Sequence, residues 1–399
     1  MAEVRTRILA IETSCDETAV AIIEGTGGLG APQFRVLASE VFSQIDLHAV
    51  WGGVVPNLAR REHEQKLIPV LSAALAQAKL LKEKKGAPID LAHILNREII
   101  LRPIAEAFLS SHERPDVEAI AVTVGPGLEP ALWTGINLAR ALASVWNVPI
   151  IPVNHMAGHI AASLLLREMS NDEFLMSNKT HKKTEGNSST RKVLFPALAL
   201  LVSGGHTEIV LATAWGKYEV IGSTRDDAAG EAFDKTARLL DLPYPGGPAL
   251  SALARSGKRD AVPLPRPMIK EKNLDFSFSG LKTAVRYHLR DNPDANRADL
   301  AASIEEAICD VLIKKTFRAI EKTEARTLIL GGGVAANTRL RFLMEQKNVA
   351  EGRPVTLLLP HPSLTTDNAA MIGAAGYINS LRNGAADPDS LRADGSLSL

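Results

Sequence analysis

One local pattern occurs twice in this chain and narrows the range of folds that it can adopt. Residues 7–23 predict an apolar strand, a tight polar turn and a second β-branched strand, and residues 198–212 repeat this order. A hairpin at the start of each half predicts two related lobes that face one another. Two unrelated hairpins would produce the same local signal, so the rest of the chain has to decide between these interpretations.

Strands that run through glycine turns into helices follow both hairpins. Residues 117–124 predict a strand that continues into the turn GPG and then into a helix at 133–146. Residues 328–330 predict a strand that continues into the turn GGG and the segment after Ala335. This alternation predicts α/β lobes whose functional sites lie at the carboxyl ends of the strands. A chain of 399 residues is also longer than a domain with a single hydrophobic core usually is, which again favours two lobes.

The predicted lobes comprise residues 1–154 and 155–382, and three segments depart from the regular pattern. Residues 82–103 begin with a basic run and are interpreted as an insertion in the first lobe. Residues 170–192 are polar and are predicted to form a flexible surface loop in the second lobe. The tail, residues 383–399, is predicted to be disordered.

Composition restricts the partners that this chain can have. Lys and Arg together number 45, as do Asp and Glu, so any RNA contact must use local patches or a partner subunit. The two cysteines, Cys15 and Cys309, offer no disulfide framework and favour a reducing compartment. No apolar run is long enough to span a bilayer. The first predicted strand, residues 8–11, leaves no room for a signal or transit peptide ahead of it.

His155 and His159 are four residues apart, which places both imidazoles on one face of a helix. Such a pair can bind one divalent cation, with Asp367 as the best candidate for a third ligand. Two histidines that only form hydrogen bonds at a helix start are an equally good interpretation of the pair alone. In metalloproteases of this spacing a glutamate follows the first histidine, whereas this chain has Met156, which disfavours peptide hydrolysis.

Two glycine-rich turns are candidates for anion or nucleotide binding. Residues 203–205 let backbone N–H groups approach an anion closely, although Gly-Gly turns are common. Residues 331–337 give a stronger signal, because they follow a strand and open a helix whose N-terminal amides can bind a nucleotide. The sequence contains no GxxxxGK[ST] loop.

Carboxylates near these turns are further candidates. Asp234 lies in an acidic stretch, residues 226–235, which is either a solvated face or a site where Asp234 accepts hydrogen bonds from sugar hydroxyls beside the rigid turn 244–248. Asp16 and Glu17 lie in the first hairpin turn, where they can orient a metal bound to a polyphosphate or assist proton transfer. Asp16 is equally well explained as a residue that stabilises the turn.

A small basic cluster follows the segment GGVVP. Arg60, Arg61 and His63 either contact RNA or belong to an ordinary surface helix. The segment FSFSGLK, residues 276–282, either lines the cleft or packs in a core.

The complete set of segments resembles the universal tRNA threonylcarbamoyladenosine transferase family, over nearly the whole chain apart from the two insertions and the tail. Many motifs in register are far more specific than any single one. In chain order they are IETSCDET, GGVVP, GPG, NHMAGH, LVSGGHT, GEAFDK, YPGGP, FSFSGLK, GGGVAAN and TDNAAM.

This resemblance implies an α/β, two-lobed fold of the actin-like ATPase and sugar kinase type, with duplicated ribonuclease-H-like lobes. It implies one divalent metal ion, zinc, iron or magnesium, held by His155, His159 and Asp367. The hairpin acids Asp16 and Glu17 match positions important for activity. The implied nucleotide or acyl-adenylate contacts are Leu201, Val202, Ser203, Gly204, Gly205, Asp234, Gly247, Ser251 and Asn337.

The resemblance also implies the reaction. A threonylcarbamoyl group passes from threonylcarbamoyl-adenylate, which a separate synthase supplies, to N6 of the adenosine 3′ of the anticodon. The acceptor tRNAs read codons that begin with A, and AMP is released. A carbohydrate kinase or ATPase of the same superfamily, or a scaffold subunit without catalysis, are the alternatives.

The subtype is indicated by a few positions. Leu201 and His206 match the bacterial and mitochondrial branch, whereas Asn57 and Glu129 depart from its commoner residues. The polar insertion 170–192 indicates a eukaryotic organelle form, which implies a homodimer in the mitochondrial matrix. The missing transit segment favours the alternative, the bacterial cytoplasm. No membrane partner is expected.

Overall fold

The computed structural model describes residues 5–165 and 191–399, which form two five-stranded mixed sheets with helices packed on them. The first sheet has the order β3-β2-β1-β4-β5 and the second β10-β9-β6-β7-β8. The strands of the first sheet are β1 (Thr6–Glu12), β2 (Glu17–Thr26), β3 (Gln33–Ser43), β4 (Ala119–Gly125) and β5 (Ile150–Asn154). Those of the second are β6 (Ala197–Val202), β7 (Thr207–Ala214), β8 (Lys217–Ser223), β9 (Thr327–Gly331) and β10 (Thr356–Leu358).

The two sheets have the same topology. In each, the first three strands form an antiparallel meander, and the first strand also pairs in parallel with the fourth strand, which pairs with the fifth. Ile8 lies opposite Ile23 in the first hairpin, and Leu198 lies opposite Leu211 in the second. The predicted α/β fold with duplicated lobes is therefore confirmed, and the interpretation as two unrelated hairpins is wrong.

Helices follow the strands as the glycine turns predicted. The first half contains α1 (Ile45–Ala49), α2 (Pro56–Gln77), α3 (Leu101–Ser111), α4 (Glu129–Trp146) and α5 (His155–Ala161). The second half contains α6 (Ala229–Leu239), α7 (Gly246–Ala254), α8 (Ser279–Asp291), α9 (Arg297–Thr323), α10 (Thr338–Ala350) and α11 (Ala369–Asn383). Short 3-10 turns occur at Ala162–Leu164, Gly333–Ala336, Pro362–Leu364 and Pro388–Ser390. No helix within the described part of the chain combines the length and apolarity needed to cross a membrane.

A shared hydrophobic core joins the two sheets through α5 and α11. It includes Ala10 and Ile151 of the first sheet together with Ala199 and Ile329 of the second. The predicted division after residue 154 assigned α11 to the second lobe, whereas the helix packs on the strands of the first sheet. A Cβ at Gly376 would lie 2.6 Å from the Cβ of Ala121, so this close approach of helix to sheet requires glycine.

The segments outside the repeated pattern contribute to the first half. In the predicted insertion 82–103, Leu91 and Leu95 are buried. The prediction that residues 383–399 are disordered is wrong: Leu391 is buried, Ala386 pairs with Ile150, and Asp394 N donates to Val124 O. These contacts satisfy backbone groups along the sheet, which composition alone does not reveal. The predicted loop 170–192 lies outside the described residues except for its last two positions.

Candidate metal centre between the lobes

The three predicted metal ligands lie together where the lobes meet. His155 and His159 are on α5, and Asp367 lies two residues before α11. Nε2 of each histidine is 3.3 Å from Oδ1 of Asp367, and one candidate ligand atom from each residue lies within 4.8 Å of the others. The imidazole centroids are 4.7 Å apart with an interplanar angle of 83°. The three side chains can therefore converge on one cation.

Helix caps place these ligands. The side chain of Asn154 accepts hydrogen bonds from Met156 N and Ala157 N, at 2.9 and 3.2 Å, so α5 begins directly at His155. The side chain of Asn368, the residue after Asp367, accepts one from Met371 N at 3.0 Å and caps the N-terminus of α11. Both caps fix where α5 and α11 begin, and thereby the positions of the ligand residues beside these helix starts.

The environment of His159 favours a bound metal. It is fully buried, and neither of its ring nitrogens forms a hydrogen bond with any residue that the structure describes. Its Nε2 lies near Asp367, but this contact lacks hydrogen-bond geometry. Buried imidazole nitrogens rarely stay without a partner, and a cation at Nε2 would supply one.

Glu12 is a residue that the sequence-based site did not include. It is fully buried at the end of β1, where Ser14 N donates to its Oε1 at 2.5 Å and Thr123 Oγ1 donates to its Oε2 at 2.6 Å. Nδ1 of His155 lies 3.1 Å from the same Oε2. A carboxylate on Nδ1 fixes the tautomer that leaves Nε2 free to bind a metal. The sequence signal that could have identified Glu12 is the presence of a charged residue at the end of an apolar strand.

The charges around the cluster favour a cation. Burial raises the pKa of Glu17 well above its ordinary value, and the negative charges of Asp367 and Asp16 raise it further. Burial opposes charge on His155, yet the carboxylates of Asp367 and Glu12 raise the pKa of His155 well above its usual range. Two carboxylates, those of Asp367 and Glu12, thus favour positive charge at His155, and a divalent ion at this place would be stabilised by the same two groups.

The predicted turn at residues 203–205 faces the histidine pair. Ser203 N donates to His206 O, and His206 N donates to Ser203 Oγ. Burial lowers the pKa of His206, and the nearby His155 and His159 lower it further. The space around Gly204 and Gly205 is open, so a ligand can approach their backbone.

The strand ends beside this turn are tightly packed. The side chains of Leu201 and Val202 are fully buried, so only their backbone is available to a ligand. Gly332 has φ +87°, and a Cβ there would lie 2.4 Å from Val202 O. A Cβ at Gly331 would lie 3.1 Å from His159 O, which ties the glycine turn after β9 to the histidine helix.

The remaining predicted nucleotide residues are linked to one another. Oδ1 of Asp234 on α6 accepts hydrogen bonds from Gly246 N at 2.8 Å and Gly247 N at 3.1 Å, which fixes the start of α7. On α7, the Oγ of Ser251 accepts from Nδ2 of Asn337 at 2.9 Å. Nδ2 of Asn337 also donates to the buried Glu305, a residue that the sequence analysis missed.

Two interactions connect the first lobe with this group. Burial raises the pKa of Tyr244, and the negative charges of Asp16 and Asp234 raise it further. Nη2 of Arg238 on α6 donates to Gly52 O of the first lobe at 2.7 Å. Asp16 and Glu17 therefore face the second lobe across a single cleft that also contains the histidine pair.

Other candidate segments have structural roles. His63 is fully buried between Thr18 and the carbonyl of Cys15, which excludes it from an RNA-binding surface. Arg60 pairs with Glu64 on the same helix. In FSFSGLK, Phe276 and Phe278 are buried in the hydrophobic core that the second sheet forms with its helices.

The geometry can be compared with known proteins. A family model described as tRNA N6-adenosine threonylcarbamoyltransferase matches residues 35–87, 90–173 and 179–374. The chain belongs to this family. A tRNA N6-adenosine threonylcarbamoyltransferase of Anaeromyxobacter sp. (strain Fw109-5) is 42% identical over 391 residues, which cover 97% of this chain and 98% of that protein. The protein of the same name from Anaeromyxobacter dehalogenans (strain 2CP-1 / ATCC BAA-258) is 42% identical over 393 residues and covers 98% of both chains.

Solved structures support the fold alone. Full-length HypF in a phosphate- and nucleotide-bound form gives a TM-score of 0.51 at 14% identity, and the match covers 96% of this chain and 47% of HypF. HypF of T. kodakarensis gives a TM-score of 0.50 at 13% identity over 98% of this chain and 50% of that chain.

Membership of the threonylcarbamoyltransferase family confirms the predicted transferase activity in N6-threonylcarbamoyladenosine formation. The kinase, ATPase and scaffold alternatives receive no support.

Proposed function

We propose that this threonylcarbamoyltransferase carries out its reaction in the interlobe cleft, at a divalent metal held by His155, His159 and Asp367. The observation that carries this proposal is the convergence of these three side chains beside the unpaired ring nitrogens of His159. Two imidazoles and one carboxylate are ligands typical of zinc or iron(II), whereas magnesium prefers oxygen ligands. The bound ion supplies a Lewis acid for the negatively charged adenylate.

The proposed reaction is an acyl transfer. N6 of the adenosine attacks the carbamoyl carbon and forms the new C–N bond, while the bond from that carbon to the phosphate oxygen breaks. AMP leaves with the electron pair, and the N6 proton passes to a carboxylate of the first hairpin turn. Glu17 suits this role because burial raises its pKa, which makes its carboxylate a stronger base than that of an ordinary glutamate. Asp16 beside it is the second candidate.

The nucleotide end of the adenylate is proposed to bind to the second lobe. The N-terminus of α6 lies against the turn 203–205, because a Cβ at Gly230 would lie 2.4 Å from Ser203 O. Helix N-terminal amides and open glycine backbone suit phosphate oxygens. This role is assigned to the backbone of Leu201, Val202, Ser203, Gly204 and Gly205. The place for the ribose and base is assigned to the pocket wall formed by Asp234, Gly247, Ser251 and Asn337.

Asp234, Gly247 and Asn337 already make internal hydrogen bonds. Their proposed contribution is therefore to hold the start of α7 and the hydroxyl of Ser251 in position, so that the pocket is formed before the ligand arrives. A ligand contact by Asn337 would have to share an amide that serves both Ser251 and Glu305.

The partners follow from the reaction. We propose that tRNA binds across the cleft mouth, that a separate synthase supplies the adenylate, and that two copies of this chain form a homodimer. The mitochondrial matrix stays a prediction based on the polar insertion, since the relatives named above are bacterial.

Reconstitution tests the proposal. Purified protein is mixed with the adenylate-generating synthase, threonine, bicarbonate, ATP and unmodified tRNA, and the modified nucleoside is measured after digestion. We expect product with the wild type, and at least a hundredfold less with His159→Ala at equal protein folding. Bound metal is measured in parallel. Full activity of His159→Ala without metal would exclude the proposed centre.

A further inference from the structure

Trp51 is a large apolar side chain that the proposed function leaves unexplained. Its ring is 70% exposed, and the adjacent Val50 is 82% exposed. The other tryptophans are more protected, since Trp146 and Trp215 are buried and Trp133 is half-buried. Exposed aromatic surface beside a functional cleft is typical of an interaction site.

The backbone around Trp51 places it at the rim of the cleft. Trp51 follows α1, and its N–H donates to His48 O at 2.9 Å. The next carbonyl, that of Gly52, accepts the hydrogen bond from Arg238 on α6. Arg238 lies one helical turn beyond Asp234 and acts on the pKa of Asp234 through its charge. Trp51 therefore lies where the first lobe meets the helix of the proposed nucleotide site.

The turn that carries Trp51 is held by buried polar contacts. Val55 N donates to Nδ1 of His48 at 3.3 Å, and Nε2 of His48 lies 3.1 Å from Oε1 of Gln44. Gln44 N in turn donates to Asp16 O at 3.0 Å. The backbone that carries Trp51 is thereby connected to the acidic hairpin turn, which fixes the point from which the exposed side chain leaves the chain.

We propose that Trp51 stacks on an unpaired base of the tRNA anticodon loop next to the adenosine that is modified. This inference rests on the proposed function, because it assumes that the tRNA enters this cleft. Single-stranded bases bind aromatic side chains by stacking, which works for any base. The equal numbers of basic and acidic residues leave little general attraction for RNA, so local contacts of this type carry more of the binding. Arg238, which donates to the carbonyl of the adjacent Gly52, offers a positive charge to a phosphate near this base.

Steady-state kinetics with the full chain test the proposal. Stacking on one base contributes about 1–3 kcal/mol, so Trp51→Ala should raise KM for unmodified tRNA about 5- to 150-fold. Trp51→Phe retains a stacking surface and should recover most of this loss. The kcat at saturating tRNA and KM for the adenylate should change less than twofold, because neither involves the ring. Tyr287→Ala is the matched control: Tyr287 is 52% exposed on α8, and its removal should leave KM for tRNA unchanged.

Tryptophan fluorescence provides an independent readout. Anticodon stem-loop RNA should quench the exposed indole in the wild type, whereas Trp51→Phe should lose most of the quenching yet still bind. A blunt-ended RNA duplex with the same number of nucleotides should quench much less, because it offers no free base. Unchanged quenching in Trp51→Phe would overturn the inference.

The outcomes separate this inference from the proposed function. If the wild type forms no modified nucleoside, the proposed function fails. If the wild type is active and Trp51→Ala has an unchanged KM for tRNA, only the stacking inference fails. A shift of Trp51→Ala from dimer to monomer in size-exclusion chromatography with KM for tRNA unaffected would overturn it in favour of a second copy of the chain at this surface.

Discussion

Substitution of Glu12 by glutamine tests how the fold prepares His155 for a metal. The side-chain amide can keep its oxygen on Ser14 N, which places the NH2 group where Oε2 now faces Thr123 and His155. Nδ1 of His155 then faces this donor and can keep its hydrogen only by donating it to Oγ of Ser14, which also lies 3.1 Å away, so the tautomer with the ring hydrogen on Nε2 becomes more favourable. That hydrogen occupies the lone pair that points towards Asp367, and the metal-binding tautomer becomes unfavourable.

The expected loss of metal affinity follows from the hydrogen bond that this substitution displaces. One displaced hydrogen bond to a buried charged group is worth about 1.5–3 kcal/mol, which corresponds to roughly a 10- to 100-fold loss of metal affinity. Affinity is measured by competition with a chelator of known strength, followed by elemental analysis of the protein. Turnover at saturating metal should recover substantially, because Glu12 does not contact the substrate in this arrangement.

Glu24→Gln is the matched control for this experiment. Glu24 is also a buried glutamate of the first sheet, but it pairs with Arg7 at 2.9 Å instead of a histidine. It should lower stability without changing metal affinity. A folded Glu12→Gln protein whose metal affinity lies within twofold of the wild type would refute the reasoning.

The other predictions concern stability, metal loading and the glycine turn. Burial lowers the pKa of His63 to about 4, so its neutral form is favoured in the folded state. Its contribution to stability is complete above the unfolded pKa of about 6.5 and is lost as the pH falls towards 4. Between pH 7 and pH 5, the unfolding free energy of the wild type in urea titrations should fall by about 2 kcal/mol more than that of His63→Gln. An equal fall in the two proteins would contradict this. Chelation should abolish wild-type turnover and added Zn²⁺ or Fe²⁺ should restore it, whereas Asp367→Asn should not recover; recovery of that variant would remove Asp367 from the ligand set. Gly332→Ala adds a Cβ at φ +87° against Val202 O and should cost about 1–3 kcal/mol of stability in thermal melts, whereas Gly333→Ala has open space around the new Cβ and should cost less than Gly332→Ala. Equal losses would mean that the positive φ of Gly332 is not required.

Much of the fold could be predicted because short-range sequence patterns indicate its strands, turns and helices. The alternation of apolar and polar residues with small-residue turns indicated both hairpins, since side chains of a strand alternate between its faces. The spacing of His155 and His159 indicated a shared helix face for the same kind of reason. The family motifs indicated Asp367 as the third ligand and named the transferase activity.

What the sequence left open depends on contacts between distant parts of the chain. Glu12 lies 143 residues from His155, and no local pattern distinguishes it from a glutamate that simply ends a strand. The tail was misjudged because its composition is polar, while the burial of Leu391 and pairing with β5 exist only once the first sheet has formed. The packing of α11 on the first sheet also depends on distant contacts, because both halves of the chain contribute to the apolar core that surrounds this helix. Local periodicity reports what each segment prefers, but burial, charge and metal geometry arise from which segments meet, and only packing decides that.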